Sequence, residues 1–152
     1  MDIEEIEEVT NPDNIRKNYG SGPWDKEPDR KVWKYKKTGS LCLAFRNPSL
    51  GNWCGYVEVK SNNPFFNSSL AEEKLEVHGG VTFTGEFSNS NHPGLSSYLL
   101  KISWIGFDCA HSGDLVPSLL DFGDTYRTLD YVMKECHRLT DQVYAESTFL
   151  YI

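Results

Sequence analysis

The stretch Asp108–Asp114, DCAHSGD, sets two carboxylates, a thiol and an imidazole within seven residues. Upstream, VHGGVT places a second imidazole, His78, against Gly79 and Gly80, with Thr82 close behind. Imidazole titrates near neutral pH, so His78 and His111 are candidates for a general acid and base. Asp108 is the candidate carboxylate that orients an imidazole by fixing its tautomer. Cys109 is a poor nucleophile here, because the adjacent Asp108 anion opposes a thiolate. Neighbours on a strand face opposite sides, so Cys109 is expected to pack inward while Asp108 turns the other way. His78, Asp108, His111 and Asp114 are all metal-ligand types. Their Asp-x-x-His-x-x-Asp spacing matches no motif of derivable geometry, so neither a metal nor another cofactor is expected.

A second set of residues suits recognition of an anion. Gly79 and Gly80, followed by Thr82, open a path for a phosphate or a ring to reach backbone N–H groups. Arg46 and Arg127 are candidate phosphate clamps, since guanidinium grips phosphate with two parallel bonds. Arg127 and Tyr126 are expected in the first turn of a helix, where unpaired N–H groups also favour anions. Tyr56, with Trp53 and Trp104, could stack on a base. The expected ligand pocket thus holds Arg46, Tyr56, His78, Gly79, Gly80, Thr82, Asp108, His111, Asp114, Tyr126 and Arg127. Each has a plainer reading: core packing for aromatics on strands, a surface ion pair of Arg127 with Asp124 or Asp130, hydrogen-bonded structural histidines. His92 and His137 are expected to be solvated.

Elements must bring these pieces together. The 152 residues fit a single domain, 1–152. Residues 1–29 read as an acidic N-terminal helix and loop, because Ile3, Ile6 and Val9 recur at helical spacing and Asn11-Pro12 ends the run. Residues 30–152 read as an α+β core. RKVWKYKKTGSLCLAFR predicts a hairpin over 31–37 and 41–46, and WCGYVEVK a third strand over 53–59. SNNPFFNSSLAEEK reads as a loop with one helical turn. LEVHGGVTFTGEF predicts a strand broken at the two glycines. YLLKISWIGFDCA has no strict alternation and predicts a central strand buried on both faces. DTYRTLDYVMKECHRLTDQV predicts one long helix capped by Asp124, and FLYI an edge strand or packed tail. The expected fold is α+β: a mostly antiparallel sheet of five to six strands with one long C-terminal helix packed on it.

Composition narrows the partners. The formal charge is −7, which argues against a duplex nucleic-acid binder. It leaves room for a small phosphorylated ligand, which needs only one or two local cations. No apolar run is long enough to span a membrane, and the start MDIEEIEEVT is acidic where a signal peptide is basic, so no membrane partner and a cytoplasmic location are expected. The four cysteines form no CxxC and are expected to be reduced, mostly as small core residues.

RNPSLGNWCGYVEV, VHGGVTF, WIGFDCAHSGD and YRTLDYVMKEC, taken in this order, resemble a small protein family of bacteriophages and bacterial genomes. The resemblance runs from roughly Leu41 to Leu139, and HGG-x-T and GFDCAH-x-GD are its specific part. It implies a phage or prophage setting and, if phage-encoded, the host cytoplasm. Small cytosolic phage proteins often act against host defence, and several bind or cleave nucleotide immune signals. Three functions follow as expectations. The first is a sponge that sequesters a cyclic nucleotide or an ADP-ribose derivative, often as a homo-oligomer with sites between subunits. The second is a phosphodiesterase-like hydrolase using His78 and His111. The third is an acidic protein that blocks a host factor.

Overall fold

Val32, Trp33 and Tyr35 are interleaved with cations in RKVWKY, and they lie in a strand. The computed structural model describes residues 2–11, 20–88, 94–119 and 124–146. Its strands are β1 (Ile3–Val9), β2 (Arg30–Tyr35), β3 (Ser40–Arg46), β4 (Trp53–Glu58), β5 (Phe83–Gly85) and β6 (Trp104–Asp108). The helices are a single turn, α1 (Leu70–Lys74), and a long one, α2 (Leu129–Val143). The six strands form one antiparallel sheet in the order β1-β2-β3-β4-β6-β5, so β6 is inserted between β4 and β5. This is a single-domain α+β arrangement with α2 laid across one face.

Pleating sends alternate side chains to opposite faces. Trp33, Cys42, Trp53, Val57, Ile105 and Phe107 face α2, which covers them with Val132, Met133, Cys136, Leu139 and Val143. Val32, Leu43, Tyr56 and Trp104 face the other way and are covered by Phe87, Leu95 and Leu99. Both faces are therefore dry, and β6 is central and buried as its unbroken apolar run demands. Each fully buried aliphatic or aromatic side chain contributes about 1.5–3 kcal/mol, so these two layers carry the fold.

The N-terminus departs from expectation: Ile3–Val9 is an edge strand and not a helix. The reason is charge across the strand pair. Glu5 and Glu8 reach Lys31 at 2.8 and 3.6 Å, Glu7 reaches Arg30 at 2.8 Å, and Glu4 reaches Lys34 at 3.9 Å. A β-bulge between Glu5 and Glu7 absorbs the three-residue spacing that mimicked a helix, and leaves Ile6 44% exposed.

Other boundaries move. The expected broken strand over 75–87 survives only as β5, because Val77–Gly80 closes a turn with Gly80 N–H donating to Val77 O at 2.9 Å. The apolar run before β6 splits into a 3-10 turn at Ser97–Lys101 and the five residues of β6. α2 starts at Leu129, capped by Thr128, whose hydroxyl accepts from Tyr131 N–H; Asp124 is not its cap. Residues 124–126 are instead drawn to the Gly113–Leu115 segment, where Thr125 N–H donates to Gly113 O and Leu115 N–H to Thr125 O. Tyr126 and Arg127 thus precede the helix. His92 and the FLYI tail lie outside the described residues.

His137 was expected in solvent and is buried. Tyr35 stacks on its ring at 4.1 Å, and Trp33 Nε1–H donates to its Nε2 at 2.9 Å. That bond requires a bare Nε2, hence a neutral ring. Burial pushes its pKa below the ordinary value, partly opposed by Asp141. A depressed histidine stabilises the fold fully above its unfolded value of 6.5, and that stability is lost as pH falls below it. Urea unfolding at mildly acidic and at neutral pH should show the loss in the native protein and a shallower one in His137→Gln.

Candidate functional site

Four stretches meet at the end of β6. β6 delivers Asp108 and the turn that follows it, 108–114. The 77–80 turn lies beside that turn, while the 124–127 segment and the first turns of α2 close the group from the helix side. Gly79 has φ +69°, a left-handed backbone that glycine adopts without strain, and a Cβ built there would lie 2.1 Å from His111 Cδ2. The His111 ring therefore packs directly on the Gly79 backbone. This is why a glycine and a histidine more than thirty residues apart belong to one motif.

The centre of the cluster is Asp114, whose side chain is 1% exposed. One carboxylate oxygen accepts from His78 Nε2 at 2.8 Å and from His111 N–H at 3.0 Å; the other accepts from Arg127 Nε at 2.9 Å. Burial alone would raise its pKa, but the bonds from His78, Arg127 and His111 outweigh it and hold the carboxyl below its ordinary value. His78 Nδ1 lies 2.7 Å from the Tyr131 hydroxyl, and the His78 backbone N–H donates to Glu135 Oε1 at 2.9 Å. Arg127 lies over the Tyr131 ring, its Cζ 5.0 Å from the centroid. The result is a chain Tyr131–His78–Asp114–Arg127 with each link at hydrogen-bond length.

His111 stands next to this chain, its ring centre 6.2 Å from that of His78. Its side chain is 35% exposed, and its Nε2 lies 3.2 Å from Asp108 Oδ1. The two are not aligned for a hydrogen bond, so Nε2 has no hydrogen-bond partner among the described residues. Asp108 also accepts from the Ala110 N–H, which fixes the turn. A cleft of about 350 Å³ opens here, walled by residues 110–114 with Val116, Leu119 and Asp124. A wider groove of about 630 Å³ runs between Ile3, Lys26, Lys31 and Met133 and contains none of the sequence candidates.

Of the expected residues, the structure brings together His78, Gly79, Asp108, His111, Asp114 and Arg127. Gly80 takes part through its bond to Val77, and Thr82 is held to β6 by its backbone N–H on Gly106 O. Three others go elsewhere. Arg46 is internal: Nε donates to Asp29, Nη1 to Gly51 O and Tyr126 Oη, and Nη2 to Glu27 and Pro28 O, which uses all five N–H groups and leaves none for a phosphate. Tyr126 donates to Glu27 in that same buried knot. Tyr56 packs edge-on to Phe83 and Phe87 in the second apolar layer. Cys109 packs in the core, and burial, with Asp114 adding, holds its thiol far above the ordinary range. Arg127 pairs with Asp114 rather than with Asp124 or Asp130.

Sequence reading missed Tyr131, Glu135 and Glu27. Tyr131 and Glu135 are one helical turn apart on α2 and face His78; the available signal was their i, i+4 spacing. Glu27, in a loop, accepts from the Leu129 N–H at 2.6 Å and so caps α2 from a distance. Nothing local marks it. Among the described residues no group of three or more His, Cys, Asp or Glu side chains is arranged to hold a metal ion, and no helix is long and apolar enough to cross a membrane.

The His111–Gly79 contact can be tested against its neighbour. Gly80 also has a left-handed backbone, φ +85°, but an added Cβ there meets nothing within 4 Å. Gly79→Ala should cost about 1–3 kcal/mol more than Gly80→Ala in denaturant unfolding, the usual penalty for forcing volume into a packed site.

Comparison of the chain with protein-family models, with curated proteins and with solved structures finds no match.

Proposed function

We propose that the protein binds and sequesters a phosphate-bearing, nucleotide-derived signal at the Arg127–His111 rim, in the phage anti-defence setting that its sequence resemblance implies. The observation that carries this reading is the state of Arg127. Its Nε is fixed by Asp114, its side chain remains 28% exposed, and neither Nη group has a hydrogen-bond partner among the described residues. An arginine anchored at Nε and open at both Nη groups is a preformed fork for two phosphate oxygens. His111 and the cleft beside it then offer a flat ring and space for a base or ribose. Sequestration is favoured over hydrolysis because both His78 ring nitrogens are engaged within the protein, which leaves His78 no free nitrogen for substrate.

The test is incubation of the purified protein with cyclic dinucleotides and ADP-ribose derivatives, followed by heat release and chromatography. One ligand should be depleted from the free fraction and recovered intact, and Arg127→Ala should abolish the depletion. New products would instead favour the hydrolase reading. No depletion of any ligand would overturn both in favour of a protein partner.

A further inference from the structure

We infer, resting on the reading above, that Tyr131 is a second donor to the bound phosphate, and that the ligand binds together with one proton taken up on His78 Nδ1. The argument begins at Asp114. Held as a carboxylate by three donors, it can only accept, so the hydrogen between it and His78 sits on Nε2. A neutral imidazole with Nε2–H has a bare Nδ1. The Tyr131 hydroxyl, 2.7 Å away, must then be the donor of that bond. Its remaining oxygen lone pairs face away from His78, on the residue that Arg127 covers. A phosphate oxygen gripped by Arg127 and meeting the Tyr131 oxygen would meet lone pairs, which repel it.

One proton reverses this. With Nδ1 protonated, His78 donates to Tyr131 Oη, and the tyrosine hydrogen swings outward to the anion. The proton comes from solvent, no covalent bond other than N–H is made, and the hydroxyl only rotates. The charged and titratable groups that face His78 come from three places. From the 108–114 turn come Asp114 in direct contact, His111 at 6.2 Å between ring centres, and Asp108 beyond it. From α2 come Tyr131 and Glu135, the latter accepting the His78 backbone N–H and paired with Arg138. From the segment before α2 comes Arg127, bound to the same carboxylate. Two carboxylates, Asp114 and Glu135, thus lie close to His78, each paired with an arginine. His78 is thus a positioning residue, and the class of ligand it selects is a phosphate ester; a neutral nucleoside gives no reason for proton uptake.

The experiment has two arms. In the free protein, nitrogen NMR of the His78 ring at about pH 8, where an ordinary imidazole is neutral, should show Nε2–H with a bare Nδ1. Calorimetry with a cyclic dinucleotide, whose phosphodiesters keep their charge across this range, is then run in buffers of different ionisation heat. Uptake of close to one proton per bound ligand is expected, and affinity that weakens as pH rises. Tyr131→Phe should remove the uptake and weaken binding about tenfold, the usual effect of losing one hydrogen bond to a charged group. An Nδ1–H tautomer in the free protein, or binding without proton uptake, overturns this inference and leaves the binding reading intact. No binding by any phosphate ester overturns both.

Discussion

Arg46→Ala should cost the fold about 3–5 kcal/mol, the loss expected when one partner of a buried ion cluster is removed. The Arg46 side chain is 2% exposed, and it ties the end of β3 to three other places. Its bonds reach Asp29 at 3.0 Å, Gly51 O at 2.7 Å and Tyr126 Oη at 3.1 Å, and its guanidinium lies 4.3 Å above the Trp53 ring. Truncation removes the cation from beside Asp29 and Glu27, and Glu27 also accepts from Trp53 Nε1 and holds the first N–H of α2. Thermal unfolding should fall by roughly 10 °C, at a few degrees per kcal/mol for a chain of this size. Arg46→Lys should recover only part of this, because an ammonium cannot fork to five acceptors. A loss below about 1 kcal/mol, the range of a surface ion pair, would show that the knot is not what secures this corner.

Asp114→Ala should cost roughly 3 kcal/mol, at about 1–3 kcal/mol for each buried donor left without its acceptor, and should abolish the proposed ligand binding. The two effects have one source. Asp114 holds His78, Arg127 and the His111 N–H at once, so its removal frees the arginine fork to wander and leaves the His78 tautomer undetermined. Asp114→Asn should behave nearly as badly, since an amide presents hydrogens where one side needs an acceptor. The stabilisation also has a pH limit. The folded carboxyl titrates below its ordinary value, so its contribution is complete at neutral pH and is lost as pH falls through the acid range. Urea titrations across that range should show a smaller acid slope in Asp114→Ala.

Most of the sheet was legible because β-structure writes itself locally. The hairpin of β2 and β3, then β4 and the apolar β6, follow from turn residues and alternation, and α2 from its stripe. What failed was set by partners distant in sequence. IEEIEEV scans as a helix until it meets RKVWKY, whose cations decide for a strand, and no window on β1 alone contains that fact. His137 lies toward the edge of the α2 stripe, and only Trp33 and Tyr35 arriving from β2 cover it. The site divides the same way. Residues around the β6 turn announce themselves by type and spacing, and Cys109 inward with Asp108 opposed follows from the pleat. Arg46 was misread because a buried structural arginine and a phosphate clamp look alike in sequence. Tyr131 was overlooked because it reads as one more aromatic on an apolar helix.

The place of β6 in the sheet also bears on how the chain comes to exist. β4 and β5 are neighbours in sequence order but never touch as strands; β6 lies between them and is the last of the six described strands to be synthesised. Until it arrives, β4 carries an unpaired apolar edge, and such an edge recruits other chains. The nascent N-terminal half is therefore the species most exposed to aggregation. The rim residues that follow β6 cannot assemble until that edge is filled, so the candidate site is among the last parts of the molecule to form.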